Sequence, residues 1–117
     1  MGNEGLRTSV AVDGTTVIAM FSGSAESDDF EAMAAFVAKV DADSTGANAT
    51  RVVADLRELT FATSSCLKVL AGWVINLEER NAPYTVEFMS NVTHSWQRRS
   101  LRALEACAPA VVRVKTS

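Results

Sequence analysis

A single α/β domain on a mixed sheet, with elements in the order ββαβαβαβ, is the fold class this sequence predicts. Three observations predict it. The run Val52-Val53-Ala54 lies mid-chain and is as continuously apolar as a buried parallel strand. Short β-prone runs alternate with longer segments whose apolar residues recur at helical spacing. An Asp-Gly pair joins the first two β-prone runs, as in a tight hairpin. Strand–helix–strand units with short connections imply a largely parallel sheet, to which the hairpin adds one antiparallel strand. The 117 residues suit one domain spanning 1–117, and no repeat, low-complexity stretch or linker divides them.

Leu6 to Val12 forms the first strand and ends at Asp13-Gly14. Thr15 to Phe21 returns, with Val17, Ile18 and Phe21 as its apolar content, and Ser22-Gly23-Ser24 breaks it. Ser24 or Ser27 can cap a first helix whose opening turn carries Asp28 and Asp29, the charge a helix start favours. Phe30, Met33, Val37 and Val40 make its apolar stripe. Asp41 to Thr50 is aperiodic and rich in Asp, Ser, Gly and Asn, so it reads as a loop. Arg51 to Leu56 is the third strand, read as covered on both faces.

Ser64 to Arg80 is the second helix, with Leu67, Leu70, Val74 and Leu77 inward, broadened by Val69 and Trp73. Gly72 weakens it by about 1 kcal/mol relative to Ala and reads as a point of close packing. Asn81-Ala82-Pro83 ends it, and Tyr84 to Met89 follows as a strand with Tyr84, Val86 and Phe88 on one face. Asn91 or Thr93 can cap a third helix that runs to about Cys107 with Leu101 and Leu104 inward; Pro109 stops it before a last strand, Val111 to Val114.

Bulk composition narrows the function classes. Hydrophobic residues make up 48% and charged residues 21%, enough for a core and too ordered a mix for a disordered chain. Net charge is -3, so nucleic acid is a poor partner. No apolar run reaches the roughly 20 residues that span a bilayer, so no membrane is expected. Met1 to Gly5 lacks the pattern of a signal peptide, which makes a cytoplasmic protein the expectation. Cys66 and Cys107 then read as free thiols, and the sequons at Asn48 and Asn91 carry no sugar. No cofactor and no metal are expected: His94 is the sole histidine, and Asp55 has too few carboxylate neighbours for magnesium.

The candidate site is the passage from the third strand into the second helix. Thr63, Ser64 and Ser65 place three hydroxyls where free N–H groups and the positive end of the helix dipole favour an anion. The simpler reading is helix capping, which needs one hydroxyl. Asp55 closes the predicted strand and is expected near that helix start, or else as a turn carboxylate. Cys66 in the first turn is the best nucleophile available, a thiol-dependent enzyme or redox sensor, against its reading as a small buried residue. Arg98, Arg99 and Arg102 beside Gln97 are a solvated face or a contact for an acidic partner. His94 opens the third helix, facing solvent or capping it. Trp73 and Trp96 are packing residues or interface anchors.

Val52-Val53-Ala54-Asp55-Leu56, Leu59-Thr60-Phe61, Ser64-Ser65, Leu67 and Leu70 together resemble the STAS domain of anti-sigma factor antagonists, over about Leu6 to Val114. The family shows a hydrophobic strand ending in Asp-Leu, then Asp-Ser-Ser-Gly-Leu opening a helix. Thr63 stands here for its acidic residue and Cys66 for its glycine, and its usual terminal helix has no counterpart before Ser117. The resemblance implies a STAS-like fold and a non-enzymatic role in bacterial signalling. It implies Ser64 as the residue that accepts a phosphate from a partner kinase. The partner so implied is a switch kinase or an anti-sigma factor-like protein, with a homodimer also open. The docking surface so implied takes in Asp55, Thr63, Ser64, Ser65 and Lys68. A member that binds its partner without phosphorylation is the other form of this reading. A small-ligand binding module, with an apolar pocket near Asp55, is the remaining alternative.

Overall fold

The computed structural model describes residues 5–116. The reading of the first residues as no leader therefore falls largely outside them. The order of elements is as the sequence predicts: β1 Leu6–Asp13, β2 Thr16–Ala25, α1 Phe30–Gly46, β3 Arg51–Ala62, α2 Ser64–Glu79, β4 Thr85–Ser90, α3 Ser95–Cys107 and β5 Val112–Thr116, with a short 3-10 turn at Ser27–Asp29 before α1. One five-stranded sheet has the spatial order β1-β2-β3-β4-β5. β1 is antiparallel to β2, and the other pairs are parallel. Asp13 pairs with Thr16, so the hairpin loop is Gly14-Thr15, one residue later than the Asp-Gly signal. Gly14 takes the left-handed φ of 63° that the first position of such a loop requires.

Each parallel connection joins neighbouring strands, and crossovers of one hand carry α1, α2 and α3 to the same face. The register rows show it. Val17, Val52, Val86 and Val112 are aligned across the sheet and fully buried, as are Ala19, Ala54 and Phe88. Phe21 meets Phe36 of α1 edge-on at 5.1 Å, and Phe88 meets Trp73 of α2 at 6.5 Å. Among the described residues no helix covers the opposite face. There Ile18 and Val53 are half-buried and Met20 is exposed, beside ion pairs of Glu87 with Arg51 and Lys115. β3 is thus covered by helices on one face, which corrects the expectation of two.

Three boundaries differ from the sequence reading. β2 continues through Ser22-Gly23-Ser24 because its backbone is paired with the far half of β3, with register shifts that absorb the irregularity. Gly23 has φ 85° at one such shift. α1 runs on through Asp41 to Gly46: the buried Ser44 hydroxyl donates back to the Val40 carbonyl at 2.7 Å, and Asp41 reaches out to Tyr84. Asn48, at φ 53°, then closes the helix, with the Ala49 N–H on the Ser44 carbonyl and the Asn48 N–H on that of Thr45. Asn81, at φ 50°, ends α2 by the same pair of bonds. Within α1, Phe30 is 45% exposed and Phe36 joins the core in its place. Gly72 is exposed, and nothing lies within 4 Å of a Cβ placed on it, so it packs against nothing.

Candidate functional site

β3 pairs with β4 only as far as Asp55, yet continues to Ala62. Its last seven residues therefore need other partners on the β4 side. Side chains from the β4–α3 connection and the start of α3 provide them. The buried Gln97 donates from Nε2 to the carbonyls of Leu56 and Leu59 at 2.7 and 3.0 Å, and its Oε1 accepts the Asn91 N–H at 2.9 Å. Asn91 Nδ2 donates to the Arg57 carbonyl at 3.3 Å, and Trp96 Nε1 to that of Thr60 at 2.9 Å. These bonds fix the segment that delivers Thr63 to the head of α2. Sequence reasoning missed them, since a glutamine within a polar helix looks like any other solvated residue. Neither Asn91 nor Thr93 caps α3: His94 holds the N-cap position without a side-chain bond, while Asn91 Oδ1 accepts from the Thr93 N–H and hydroxyl.

The three hydroxyls stand where the sequence placed them. Thr63 is the N-cap of α2, and its Oγ1 accepts the Cys66 N–H at 3.4 Å. Its own N–H donates to the Ala25 carbonyl at 3.0 Å, which ties the helix start to the end of β2. Ser64 and Ser65 are the first two helical residues, and both are exposed. Lys68 is exposed one turn beyond Ser64, on the same helix face. Neither Ser24 nor Ser27 caps the preceding helix: the Asp29 carboxylate accepts the Glu26 N–H at 2.7 Å, and Ser24 donates to the Glu26 carboxylate.

A shallow apolar groove opens directly beside Ser64. Leu67, Lys68 and Ala71 of α2 face Ala103, Leu104 and Cys107 of α3 across it, and its volume is ≈ 260 Å³. Hydroxyl, ammonium and apolar groove thus form one contiguous surface of two helices.

Asp55 lies elsewhere. Because β3 is longer than predicted, Asp55 sits within the strand, seven residues before its end and roughly 26 Å from Thr63 at the rise of an extended chain. It is 8% exposed, on the helix-free face, with Met20 and Met89 as register neighbours. Arg57 grips it with Nε on Oδ1 at 2.9 Å and Nη2 on Oδ2 at 2.8 Å. That fork holds the Asp55 carboxyl below its ordinary value of 3.8, against the opposing effect of burial. A shallow depression of ≈ 300 Å³ lies beside it, where Arg7, Asp55 and Glu58 meet Met20 and Phe21.

Cys66 is fully buried, with its Sγ 3.4 Å from the Glu26 carbonyl, and Cys107 is exposed; both are free. A thiol nucleophile or redox sensor at Cys66 would need access that this packing denies. It is a small core residue joining α2 to the turn before α1. Among the described residues no group of three or more His, Cys, Asp or Glu is placed to hold a metal ion. No helix among them is long and apolar enough to cross a membrane.

No family model and no curated protein matches the chain. Solved structures do. The chain is similar to the crystal structure of an anti-sigma factor antagonist from Mycobacterium paratuberculosis, at 20% identity and a TM-score of 0.69, over 92% of this chain and 85% of that one. The five-stranded mixed sheet with three helices in the order ββαβαβαβ is the STAS-like fold of that protein.

Proposed function

We propose that this chain is a regulatory protein–protein interaction module of bacterial signalling, acting in the cytoplasm as a partner switch. Its docking surface is the head of α2 with the groove between α2 and α3: Thr63, Ser64, Ser65, Leu67 and Lys68 on one side, Ala103 and Leu104 on the other. Its partner is a switch kinase or an anti-sigma factor-like protein, and Ser64 is the position of phosphoryl control. The likeness in fold to an anti-sigma factor antagonist supports this reading.

One observation carries it. Among the described residues Thr63 alone caps α2, so the exposed hydroxyls of Ser64 and Ser65 are not needed to hold the helix start. They stand instead at the rim of an apolar groove. A phosphate on Ser64 would add about -1.5 to -2 charge. The chain itself tolerates that charge, because the first turn of α2 carries positive dipole potential and Lys68 follows one turn later. An apolar or acidic partner surface seated in the groove does not. Phosphorylation would thus release the partner without unfolding the module.

The test has two arms. The protein is incubated with ATP and candidate switch kinases, and intact mass is compared with that of Ser64→Ala. One added phosphoryl group on the native chain and none on the variant supports the switch; no addition to either removes it. Binding of a purified anti-sigma factor-like candidate is then measured with Ser64→Asp and Leu67→Glu. Loss with both supports the groove as the dock. Retention with Leu67→Glu places the partner elsewhere.

A further inference from the structure

We propose that the cleft at the carboxyl ends of β4 and β5 binds a small phosphate monoester, held by Arg98 and Arg102. The cleft is separate from the groove beside Ser64 and shares no residue with it. Its volume is ≈ 260 Å³, and across Arg98 and Arg102 it continues into a shallower depression of ≈ 650 Å³. Open α/β sheets place ligands at this end of the strands. Here Ser90 and Thr116, the last residues of β4 and β5, form its floor as a register pair.

The cationic charge of the cleft is only partly balanced: two guanidinium groups meet one carboxylate, that of Glu105, and neither is ion-paired with it. His94, Arg98 and Arg102 follow one another at intervals of four along α3, so they share a stripe, and all three line the cleft. Arg51, Arg57 and Arg80 each hold a carboxylate. Arg98 and Arg102 have no ion pair and no hydrogen bond among the described residues, and cations one turn apart repel. A dianion between the two guanidinium groups relieves the repulsion and receives paired N–H donors in a geometry that suits phosphate.

Hydroxyl donors complete the site. The Ser90 hydroxyl has one hydrogen, shared between the Lys115 carbonyl at 3.2 Å and Thr116 Oγ1 at 3.4 Å, and the exposed Thr116 hydroxyl at the end of β5 can rotate to donate to an anion in the cleft. Glu105 stands on the wall. Its carboxylate repels an anion at that end and accepts a hydroxyl instead. The cleft is therefore matched to a phosphate joined to a hydroxyl-bearing body, and less well to the bare ion.

The experiment is an amide NMR titration of the full chain with glycerol 3-phosphate and ribose 5-phosphate. Sodium chloride at matched ionic strength and a glutamate-rich peptide are run alongside. The expected result is saturable shifts at Ser90, His94, Arg98, Arg102 and Thr116 with the sugar or glycerol phosphate. The Arg98→Ala/Arg102→Ala pair should weaken affinity at least about tenfold, because each lost charge-assisted bond is worth about a decade, while Arg99→Ala should stay within about twofold. Arg98→Lys/Arg102→Lys should fall between them, since it keeps the charge and loses the fork. These side chains are exposed, so unchanged amide spectra of the free variants will confirm that folding is intact. The proposal is overturned if chloride reproduces the shifts, if the double alanine variant binds as the native chain does, or if only the glutamate peptide binds.

Discussion

Gln97 of α3 donates to the Leu56 carbonyl of β3 at 2.7 Å, at the first position where β3 has lost β4 as its neighbour. With its second bond to Leu59 and its acceptor on the Asn91 N–H, it occupies the place of a strand. The path to the candidate site runs through this residue. The far half of β3 is held by β2 on one side and by the Gln97, Asn91 and Trp96 side chains on the other, and it ends at the cap of α2.

Gln97→Met keeps the volume and removes the polar group. It leaves two carbonyls and one N–H without partners in a fully buried place. The expected loss is about 3 kcal/mol, from groups that cost about 1–3 kcal/mol each when orphaned and partly relax. Urea unfolding checks it. Amide exchange should quicken over 56–66 before it does in the paired half of β3.

The sheet, the order of elements and the start of α2 were legible because each rests on local chemistry: Gly14 in a two-residue loop, alternation along β4, and a hydroxyl before an apolar period. The last part of α1 was not. Asp41, Asp43, Ser44 and Thr45 look like loop residues, yet Ser44 satisfies itself on Val40, and the stop is set by Asn48 in a left-handed conformation. The far halves of β2 and β3 were not legible either. Ser22-Gly23-Ser24 is turn-like in composition, and its long-range pairing, with Glu58 to Phe61 on one side and the start of β1 on the other, makes it a strand. That longer β3 also moved Asp55 away from Ser64. Local propensity loses wherever long-range pairing decides.

Gly72→Ala should stabilise the protein. The position is exposed within α2, and an added Cβ meets nothing within 4 Å. The gain expected from helix propensity and from a less flexible unfolded chain is about 0.5–1 kcal/mol. Thermal unfolding reads it directly, and a loss of stability would restore the close-packing role.

Tyr84→Phe should cost about 1–2 kcal/mol near neutral pH, since Trp73 Nε1 loses an acceptor and Asp41 a donor in a largely buried cluster. Its signature lies at alkaline pH. Burial, and then the hydrogen bond to Asp41, raise the Tyr84 phenol above its ordinary value of 10.0. The folded state keeps the proton that the unfolded state releases, so this stabilisation is full below pH 10.0 and declines as pH rises from there toward the raised folded value. Denaturant titrations above pH 10.0 should show the native protein losing stability more steeply than the variant.

Asp55→Asn should destabilise at neutral pH and converge with the native protein in acid. The Arg57 side chain lowers the Asp55 carboxyl below 3.8, outweighing the effect of burial, and the Arg57 N–H adds to it at 3.1 Å. The folded state thus prefers the charged form. That contribution is present above pH 3.8 and is lost as pH falls below it through the lowered folded value. Unfolding free energies at neutral pH and at two acidic points check the convergence. Binding to the α2 groove should be unaffected, because Asp55 lies on the other face of the sheet.

Thr63→Ala and Ser64→Ala separate scaffold from switch. Among the described residues Thr63 is the only side chain that accepts an N–H at the head of α2, at a long 3.4 Å, so its removal should cost about 0.5–1 kcal/mol, at the lower end for a lost cap. Ser64 makes no such bond and is exposed, and its replacement should change stability by less than about 0.5 kcal/mol. In contrast, phosphoryl acceptance should survive Thr63→Ala at reduced stability and vanish with Ser64→Ala. The two readouts, chemical unfolding and intact mass after kinase treatment, must move oppositely across the pair. If Ser64→Ala proves the more destabilising, its hydroxyl belongs to the helix start, and the regulatory reading of this position fails.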